Sequence, residues 1–419
     1  MNALVRRSGW TAVDQALSST SNVVLAVLLA REVTRESFGA YGLAFAVYAL
    51  VLSGTRGLVS SVFQIRFTAA EPADQRTALR DSAGASLVVA LAVAGPTVLV
   101  GRLLGGPVAA ALVPMALTLP GLLLQDCWRL AFLTLGRARS AAANDLLWVA
   151  VELPVLGVLL WRDEVTVTSA VAVWGVAACA GATFGVLQAG IVPSPRRGVS
   201  WLGAHRDLGL PMLAEFLLIA AVAPATLLLA GAVTDLREVA ALRGAEVLLS
   251  PVNLLFGAAV LVVVPEAARV LATRPERLPT VLRTGGWAFA AVAVSFGLVV
   301  AILPDGVGEA LVGANWRSSR AVVVPLAFHA AATGLMTSWL AGLRVLQAAR
   351  EALVVRVVLT PLHLVAALVG LLWRGAVGAA VGMAVVSVVG AELMQRRFTA
   401  CARAASRTPP GGPGGSAPG

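Results

Sequence analysis

The chain has 419 residues, of which 58% are hydrophobic and 13% charged, and all 32 basic residues are arginine, giving a net charge of +10. A soluble domain carries about 25% charged residues, so this composition and a mean hydropathy of +0.85 leave no room for a soluble catalytic domain. Beside so much apolar sequence the basic excess reads as loops at an anionic membrane surface, not as a nucleic-acid patch.

Arg6 and Arg7 precede an apolar run that continues through polar residues to Arg31 without a convincing cleavage site, which reads as a first membrane helix and not as a signal peptide. A helix crossing the hydrocarbon core needs roughly 20 mostly apolar residues. Along the chain that rule gives about 12 spans, at 10–30, 38–62, 82–101, 107–128, 141–161, 167–189, 208–231, 238–263, 285–303, 321–341, 352–373 and 375–395. Pro96, Pro114, Pro120, Pro154, Pro224 and Pro251 fall inside them, as membrane helices tolerate where neighbours satisfy the freed backbone groups. Small residues recur, as close helix packing in lipid requires. Residues 398–419 end in RTPPGGPGGSAPG, a composition that cannot bury a core and reads as a disordered cytoplasmic tail.

Arginines gather on alternate connections: Arg66, Arg76 and Arg80; Arg129, Arg137 and Arg139; Arg196, Arg197 and Arg206; Arg269, Arg274, Arg277 and Arg283; Arg344, Arg350 and Arg356; and both chain ends. The intervening connections carry far fewer. By the positive-inside rule both termini are cytoplasmic. Leu28-Leu29-Ala30-x-x-Val33-Thr34 at the end of span one returns as Leu228-Leu229-Ala230-x-x-Val233-Thr234 at the end of span seven. Spans four and ten echo each other likewise, Val113-Pro114, Trp128 and Arg139 returning as Val324-Pro325, Trp339 and Arg350. The repeat predicts an all-α polytopic membrane protein of two six-helix lobes, 1–205 and 206–397. Their pseudo-twofold axis would run along the membrane normal, with the substrate site between the halves.

Three stretches carry a resemblance. One is Gly9-Trp10…Asp14-Gln15…Leu28-Leu29-Ala30-Arg31…Glu36-x-Phe38-Gly39-x-Tyr41. The second is Leu124-Gln125-Asp126-x-x-Arg129…Gly136-Arg137…Asn144-Asp145. The third is Leu311-Val312-Gly313-x-x-Trp316. With these, residues 8–397 resemble the polysaccharide-exporter branch of the multidrug/oligosaccharidyl-lipid/polysaccharide exporter superfamily, which includes O-antigen-unit flippases. The resemblance implies two six-helix lobes around a central cavity and transport by alternating access. Its cargo would be a polyprenyl-diphosphate-linked saccharide for cell-surface polysaccharide synthesis, carried across the bilayer of a bacterial cytoplasmic membrane beside polysaccharide polymerase machinery. No cofactor, catalytic residue or covalent chemistry is implied. The chain departs from the lipid II flippase branch, which usually has 14 helices.

Ionisable groups inside spans are costly and are functional candidates by default. Asp14 and Glu215 lie in spans one and seven, where the repeat aligns Glu215 with Gln15; Arg56 lies in span two and Glu152 in span five. Arg243 and Glu246 stand one turn apart in span eight. Arginine presents planar donors suited to phosphate oxygens, so Arg56 and Arg243, with Arg7 at the cytoplasmic mouth, are candidates for binding the head-group phosphate. Asp14, Glu152 and Glu215 are candidates for coupling to protons or Na⁺. The alternative is internal ion pairing, Arg56 with a carboxylate and Arg243 with Glu246. Asp126, Arg129, Arg137, Asn144 and Asp145 read as a structural cap network at the fourth connection. His329 and His363 read as packing residues or a proton relay, and His205 needs no role. Cys127, Cys179 and Cys401 are isolated and show no metal or disulfide spacing. The chain holds no GxxxxGK[ST] phosphate loop. Two other functions compete: a drug/cation antiporter of the same superfamily, which predicts a carboxylate-dominated pocket, and a membrane glycosyltransferase or polysaccharide ligase, which needs paired external carboxylates.

Overall fold

A computed structural model describes residues 21–407, with the side chains of all but 257–262, 349 and 405–407. Among the described residues every regular element is helical. Helix α1 covers residues 21–32. It is followed by α2 (Arg35–Phe67), α3 (Pro72–Leu104), α4 (Gly106–Thr134), α5 (Ala138–Trp161), α6 (Val167–Ala189) and the short α7 (Pro195–Ala204). Then come α8 (Arg206–Ala220), α9 (Val222–Val233), α10 (Leu236–Leu248), α11 (Ser250–Thr273), α12 (Leu278–Ala301) and α13 (Asp305–Val312). The last two are α14 (Trp316–Val345) and α15 (Ala349–Arg407).

Eight of these stretches are long and apolar enough to cross a membrane, or ten when each of two broken pairs counts as one span. Helix α15 is itself interrupted at Arg374 and Gly375, where Gly375 takes φ 58°, and span 10–30 lies half outside the described residues. The chain is a multi-pass membrane protein. Large apolar side chains stay exposed along the spans, such as Leu91, Leu117, Val176 and Val365, as a lipid-facing surface requires. Trp161 and Trp373 stand exposed at helix ends, where indole rings favour the membrane interface.

Spans seven and eight were expected unbroken. Helices α8 and α9 instead meet at 68°, and α10 and α11 part at Leu249. Pro224 and Pro251 lie in the first turns of α9 and α11. Neither can donate a backbone N–H to the preceding turn, so the helices restart there. At the chain's end α15 runs to Arg407, past residue 398, where the tail was expected to begin. Phe398 is buried against Trp339 with ring centroids 5.3 Å apart, and that apolar anchor carries the helix on.

The helices form two compact units. One comprises the described residues as far as Leu248 with Ile302–Val322 and Leu368–Ala379; α8 to α10, placed by sequence in the second lobe, belong to it. Its alternate connections collect at opposite ends. At one end Arg66 pairs with Asp207, Arg76 donates to the Gly190 carbonyl, and Arg137 donates to the Gln188 carbonyl at 2.9 Å. At the other end Glu36 pairs with Arg237 at 2.6 Å, Arg35 donates to the Ala314 carbonyl at 2.8 Å, and Asn315 donates to the Ala30 carbonyl at 2.9 Å. The arginine-rich connections therefore share one end of this unit. Thr34 caps α2, accepting the Ser37 N–H at 3.3 Å, and Thr166 and Ser169 form a capping box on α6.

The second unit comprises Leu249–Ala301, Val323–Ala367 and the described residues from Ala380 on. Its core holds Leu278, Leu282, Trp339, Leu343, Leu359, Met394 and Phe398. The two halves of α15 fold back on each other about Gly375. Near that reversal, in the part of α15 that belongs to the first unit, Gly370 and Gly378 face each other so closely that a Cβ on either would strike the other's backbone, the small-residue contact that lets membrane helices approach.

Candidate functional site

The site in the first unit is built around a defect in α2. Residues Arg56–Ser60 form a π-helical turn, an element found often at functional positions. Gly57 sits against α8: a Cβ there would lie 2.7 Å from Leu213 Cα and 2.8 Å from the Met212 carbonyl oxygen. Only glycine lets the two backbones cross at that level, and the crossing sets Arg56 opposite α4.

Arg56 meets Asp126 of α4 in a bidentate pair, Nε to Oδ2 at 2.9 Å and Nη2 to Oδ1 at 2.6 Å. Arg129, one turn along α4, approaches Asp126 at 4.0 Å and pairs with Asp145 of α5 at 3.2 Å. Gln125 donates to Asp145 at 2.7 Å and to Asn144 at 3.1 Å. Asn144 donates in turn to the Gly181 carbonyl of α6 at 2.8 Å. Two guanidinium groups and two carboxylates thus compensate each other, as buried charge demands. The cap network expected at the fourth connection is instead an interhelical network, its Asp126, Arg129, Asn144 and Asp145 lying inside α4 and α5. Arg56 joins it from another helix, while Arg137 caps elsewhere, on Gln188.

One face of this network opens on a cavity of about 570 Å³, within the size range of small-molecule sites. Arg56, Gln64, Gln125, Asp126 and Arg129 line it, with Asn22, Ser53, Ser60 and Ser61. Phe45, Tyr48 and Trp148 supply aromatic wall, and Phe216 and Pro224 come from α8 and α9. Among the described residues that line it, Asp126 is the one carboxylate, and Arg56 engages both its oxygens. The Arg56 side chain keeps 33% of its surface exposed against 8% for Asp126. The pair uses its Nε and Nη2, so the Nη1 edge stays outside it.

An aromatic ladder runs up α2 from this cavity. Phe38, Tyr41, Phe45 and Tyr48 follow one another with ring centroids 6.0 to 6.1 Å apart, and Tyr48 meets Trp174 edge-on at 4.8 Å. Arg243 of α10 lies on this ladder, its guanidinium 3.8 Å from the Phe45 ring centroid and paired with Glu246 at 3.0 Å. Arg243 is therefore buried beside a cavity-lining ring and does not itself line the cavity. Glu152 of α5 is fully buried and accepts a hydrogen bond from Ser21 of α1. No cationic side chain pairs with it among the described residues. Glu215 is half-buried on α8 beside the cavity-lining Phe216. Arg7 and Asp14 lie outside the described residues. Among the described residues no three His, Cys, Asp or Glu side chains gather as a metal site requires.

The structure thus brings Arg56 together with the Asp126 network, sets Arg243 one ring away, and holds Glu152 apart. Sequence reasoning missed the aromatic wall. Its signal was present: the chain's two tyrosines, in a sequence only 6% aromatic, both fall on one face of span two.

No family model matches the chain, and no curated protein matches it in sequence. Solved structures do. The fold is similar to that of the lipid II flippase MurJ in an inward closed conformation, with a TM-score of 0.72 at 9% identity over 93% of this chain and 89% of that one. It is similar to a multidrug resistance MATE family transporter of the MOP superfamily in an inward-facing conformation, with a TM-score of 0.70 at 16% identity over 94% and 96%. A MOP-superfamily transporter from Pyrococcus furiosus, whose binding pocket is described as of reverse polarity, gives 0.57 at 14% identity over 97% and 96%. At such identities the likeness is one of fold. It does not separate flippases from multidrug transporters.

Proposed function

We propose that this chain, with the fold shared by lipid flippases and multidrug transporters of the MOP superfamily, is a flippase. It would carry the polar head of a polyprenyl-diphosphate-linked oligosaccharide or polysaccharide precursor across the cytoplasmic membrane by alternating access. Both termini would be cytoplasmic, as the arginine asymmetry requires, and a polysaccharide polymerase would take up the product. The observation that carries this reading is the balance of the cavity. Its one carboxylate among the described lining residues is held by Arg56, whereas Arg56 keeps a third of its side chain toward the space. A guanidinium with a free edge suits a phosphate oxygen. The amides and hydroxyls of Gln64, Gln125, Ser53 and Ser60 suit sugar hydroxyls, and Phe45, Tyr48 and Trp148 offer faces to a sugar ring. Arg56 is the phosphate-binding residue in this reading. Arg243 supports it through Phe45, and Arg7 guards the cytoplasmic mouth. Glu152 carries the coupling ion, with Asp14 and Glu215 as further carboxylates of the same task.

The second reading, a drug/cation antiporter, draws on Glu152: a buried carboxylate without a cationic partner among the described residues is what an organic cation or its exchanged ion would seek. Reconstitution separates the two. Proteoliposomes are loaded with a fluorescent undecaprenyl-diphosphate saccharide, and its exposure to an external quencher is followed. The flippase reading expects wild-type protein to accelerate translocation and Arg56→Lys, which keeps the charge but loses the fork, to slow it at least tenfold while folding intact. Failure to move any lipid-linked saccharide, with exchange of an organic cation against a proton gradient that Glu152→Gln abolishes, replaces it with the antiporter.

A further inference from the structure

The second unit has a polar site of its own that the reading above leaves unused. His329 of α14 and His363 of α15 lie T-shaped with ring centroids 5.8 Å apart. Ser387, from the returning half of α15, stands between them: its Oγ is 2.7 Å from His329 Nδ1 and 2.9 Å from His363 Nε2. Ser387 is fully buried and His363 nearly so, while His329 is half-buried. These rings are singular in their surroundings. The apolar stretches of this unit, 250–265, 284–301, 323–343, 357–367 and 380–391, contain no Asp, Glu, Arg, Cys or Tyr at all. Helix α12, packed on α14 through Gly297 against Ala327, brings no ionisable group to them, and neither does either half of α15. The polar groups facing the rings are each other, Ser387 and the Leu359 and Met383 carbonyls. The only two ionisable side chains in these stretches therefore come from separate helices and meet on one hydroxyl.

The hydrogen bonds have one consistent direction. His363 Nδ1 lies 2.8 Å from the Leu359 carbonyl, which can only accept, so Nδ1 carries the hydrogen. In the neutral ring Nε2 is then an acceptor, and Ser387 donates its hydroxyl to it. The Ser387 oxygen is left to accept from His329 Nδ1–H. His329 Nε2 is then the ring nitrogen left without a hydrogen at the end of this line.

We infer that His329, Ser387 and His363 form a proton-binding site that takes up one proton for the pair, entering at His329 Nε2 and shared with His363 through Ser387. A proton added at His329 Nε2 makes that ring an imidazolium. Passing Nδ1–H to Ser387 while Ser387 passes its own hydrogen to His363 Nε2 moves the charge to the second ring, and no bond is left incomplete. A second proton would set two like charges 5.8 Å apart, each ring donating to a single hydroxyl oxygen, which fixes the stoichiometry at one. A charge gained between apolar helices has to be met by water or by rearrangement, which ties proton occupancy to the arrangement of α14 and α15.

The inference does not depend on the cargo, and neither does its test. The chain has only three histidines, so full-length protein labelled with [¹⁵N]histidine in lipid nanodiscs gives a small, assignable spectrum, with His205→Asn removing the third. Wild-type protein should show His329 and His363 titrating together in one single-proton step. Coupled groups shift each other by about one pH unit or more. His363→Gln should therefore move the His329 midpoint by about that much, Ser387→Ala should separate the two rings into independent titrations, and Ser387→Thr should keep them joined. Independent titration of the rings in folded wild-type protein, or titrations that Ser387→Ala leaves unchanged, overturns the proposal. So does the absence of proton uptake by either ring over the pH range in which the protein stays folded.

Discussion

The two units handle polarity inside a bilayer in opposite ways. The first keeps fixed charges: Arg56, Asp126, Arg129 and Asp145 neutralise one another across three helices, and one guanidinium edge is left over for a cavity. The second has no charged residue in its apolar stretches 250–265, 284–301, 323–343, 357–367 and 380–391 and instead joins two imidazoles through one serine. A compensated network holds its electrostatic field constant and so suits recognition of an anion. A neutral pair that can gain a single charge suits a response to protons. The contrast is one of chemistry, and it makes separate demands on stability and on activity.

The largest effect expected is from breaking the compensation. Asp126→Leu takes away the carboxylate that Arg56 and the buried Arg129 share, and removing one partner of a buried ion pair costs about 3 kcal/mol. Arg56→Met combined with Asp126→Leu removes both charges and should return to within about 1 kcal/mol of wild type, while translocation stays lost. Unfolding of the purified variants in matched detergent, read by tryptophan fluorescence, gives both numbers. A double variant as unstable as Asp126→Leu alone would mean that Arg56 is not the group Asp126 neutralises. Next in size is Gly57→Val. Its side chain would be driven into the α8 backbone, an overpacking cost of about 2 kcal/mol. Gly95→Ala, with nothing within 4 Å of the added carbon, is the control that should leave stability unchanged.

In the second unit the expected loss is smaller. Ser387→Ala leaves two neutral ring nitrogens without their shared hydroxyl, and an unmet buried hydrogen bond costs about 1–2 kcal/mol. The same unfolding measurement, done beside Asp126→Leu, sharpens the contrast. If Ser387→Ala costs as much as losing Asp126, the histidine pair already carries a charge in the resting protein, and the division between fixed and acquired charge fails.

Most of the fold was legible in sequence, because lipid exposure demands long apolar runs and the arginine asymmetry fixes their alternation. The breaks before Val222 and Ser250 are half legible: Pro224 and Pro251 mark them, but whether a proline bends or breaks a membrane helix depends on its neighbours. Arg56 was found because a charge in a span stands out. Its partner was not, since Asp126 was assigned to a connection and the pairing depends on α2 and α4 packing side by side. The same is true of Ser21 with Glu152. The histidine site was the least legible. Ser387 is an ordinary residue in sequence and gains its position only because α15 reverses at Gly375, bringing its second half back beside the first.

The smallest effect tests whether the aromatic wall of the first unit serves more than packing. Tyr48 meets Trp174 edge-on at 4.8 Å, and in the second unit Phe256 and Phe289 lie 5.0 Å apart at 57°. Pairs of this kind contribute about 1 kcal/mol beyond the area they bury, so Tyr48→Leu and Phe289→Leu should destabilise the protein by similar small amounts. Their consequences for cargo should differ. Tyr48 lines the polar cavity beside Arg56, where a sugar ring needs a flat apolar face, whereas Phe289 lines a small apolar pocket. Tyr48→Leu should therefore slow saccharide translocation several-fold and Tyr48→Phe should largely restore it, the ring and not the hydroxyl being the required feature. Phe289→Leu should translocate at the wild-type rate. Equal losses of transport in Tyr48→Leu and Phe289→Leu, matched to equal losses of stability, would reduce the ladder on α2 to core packing and leave Arg56 alone to define the cavity.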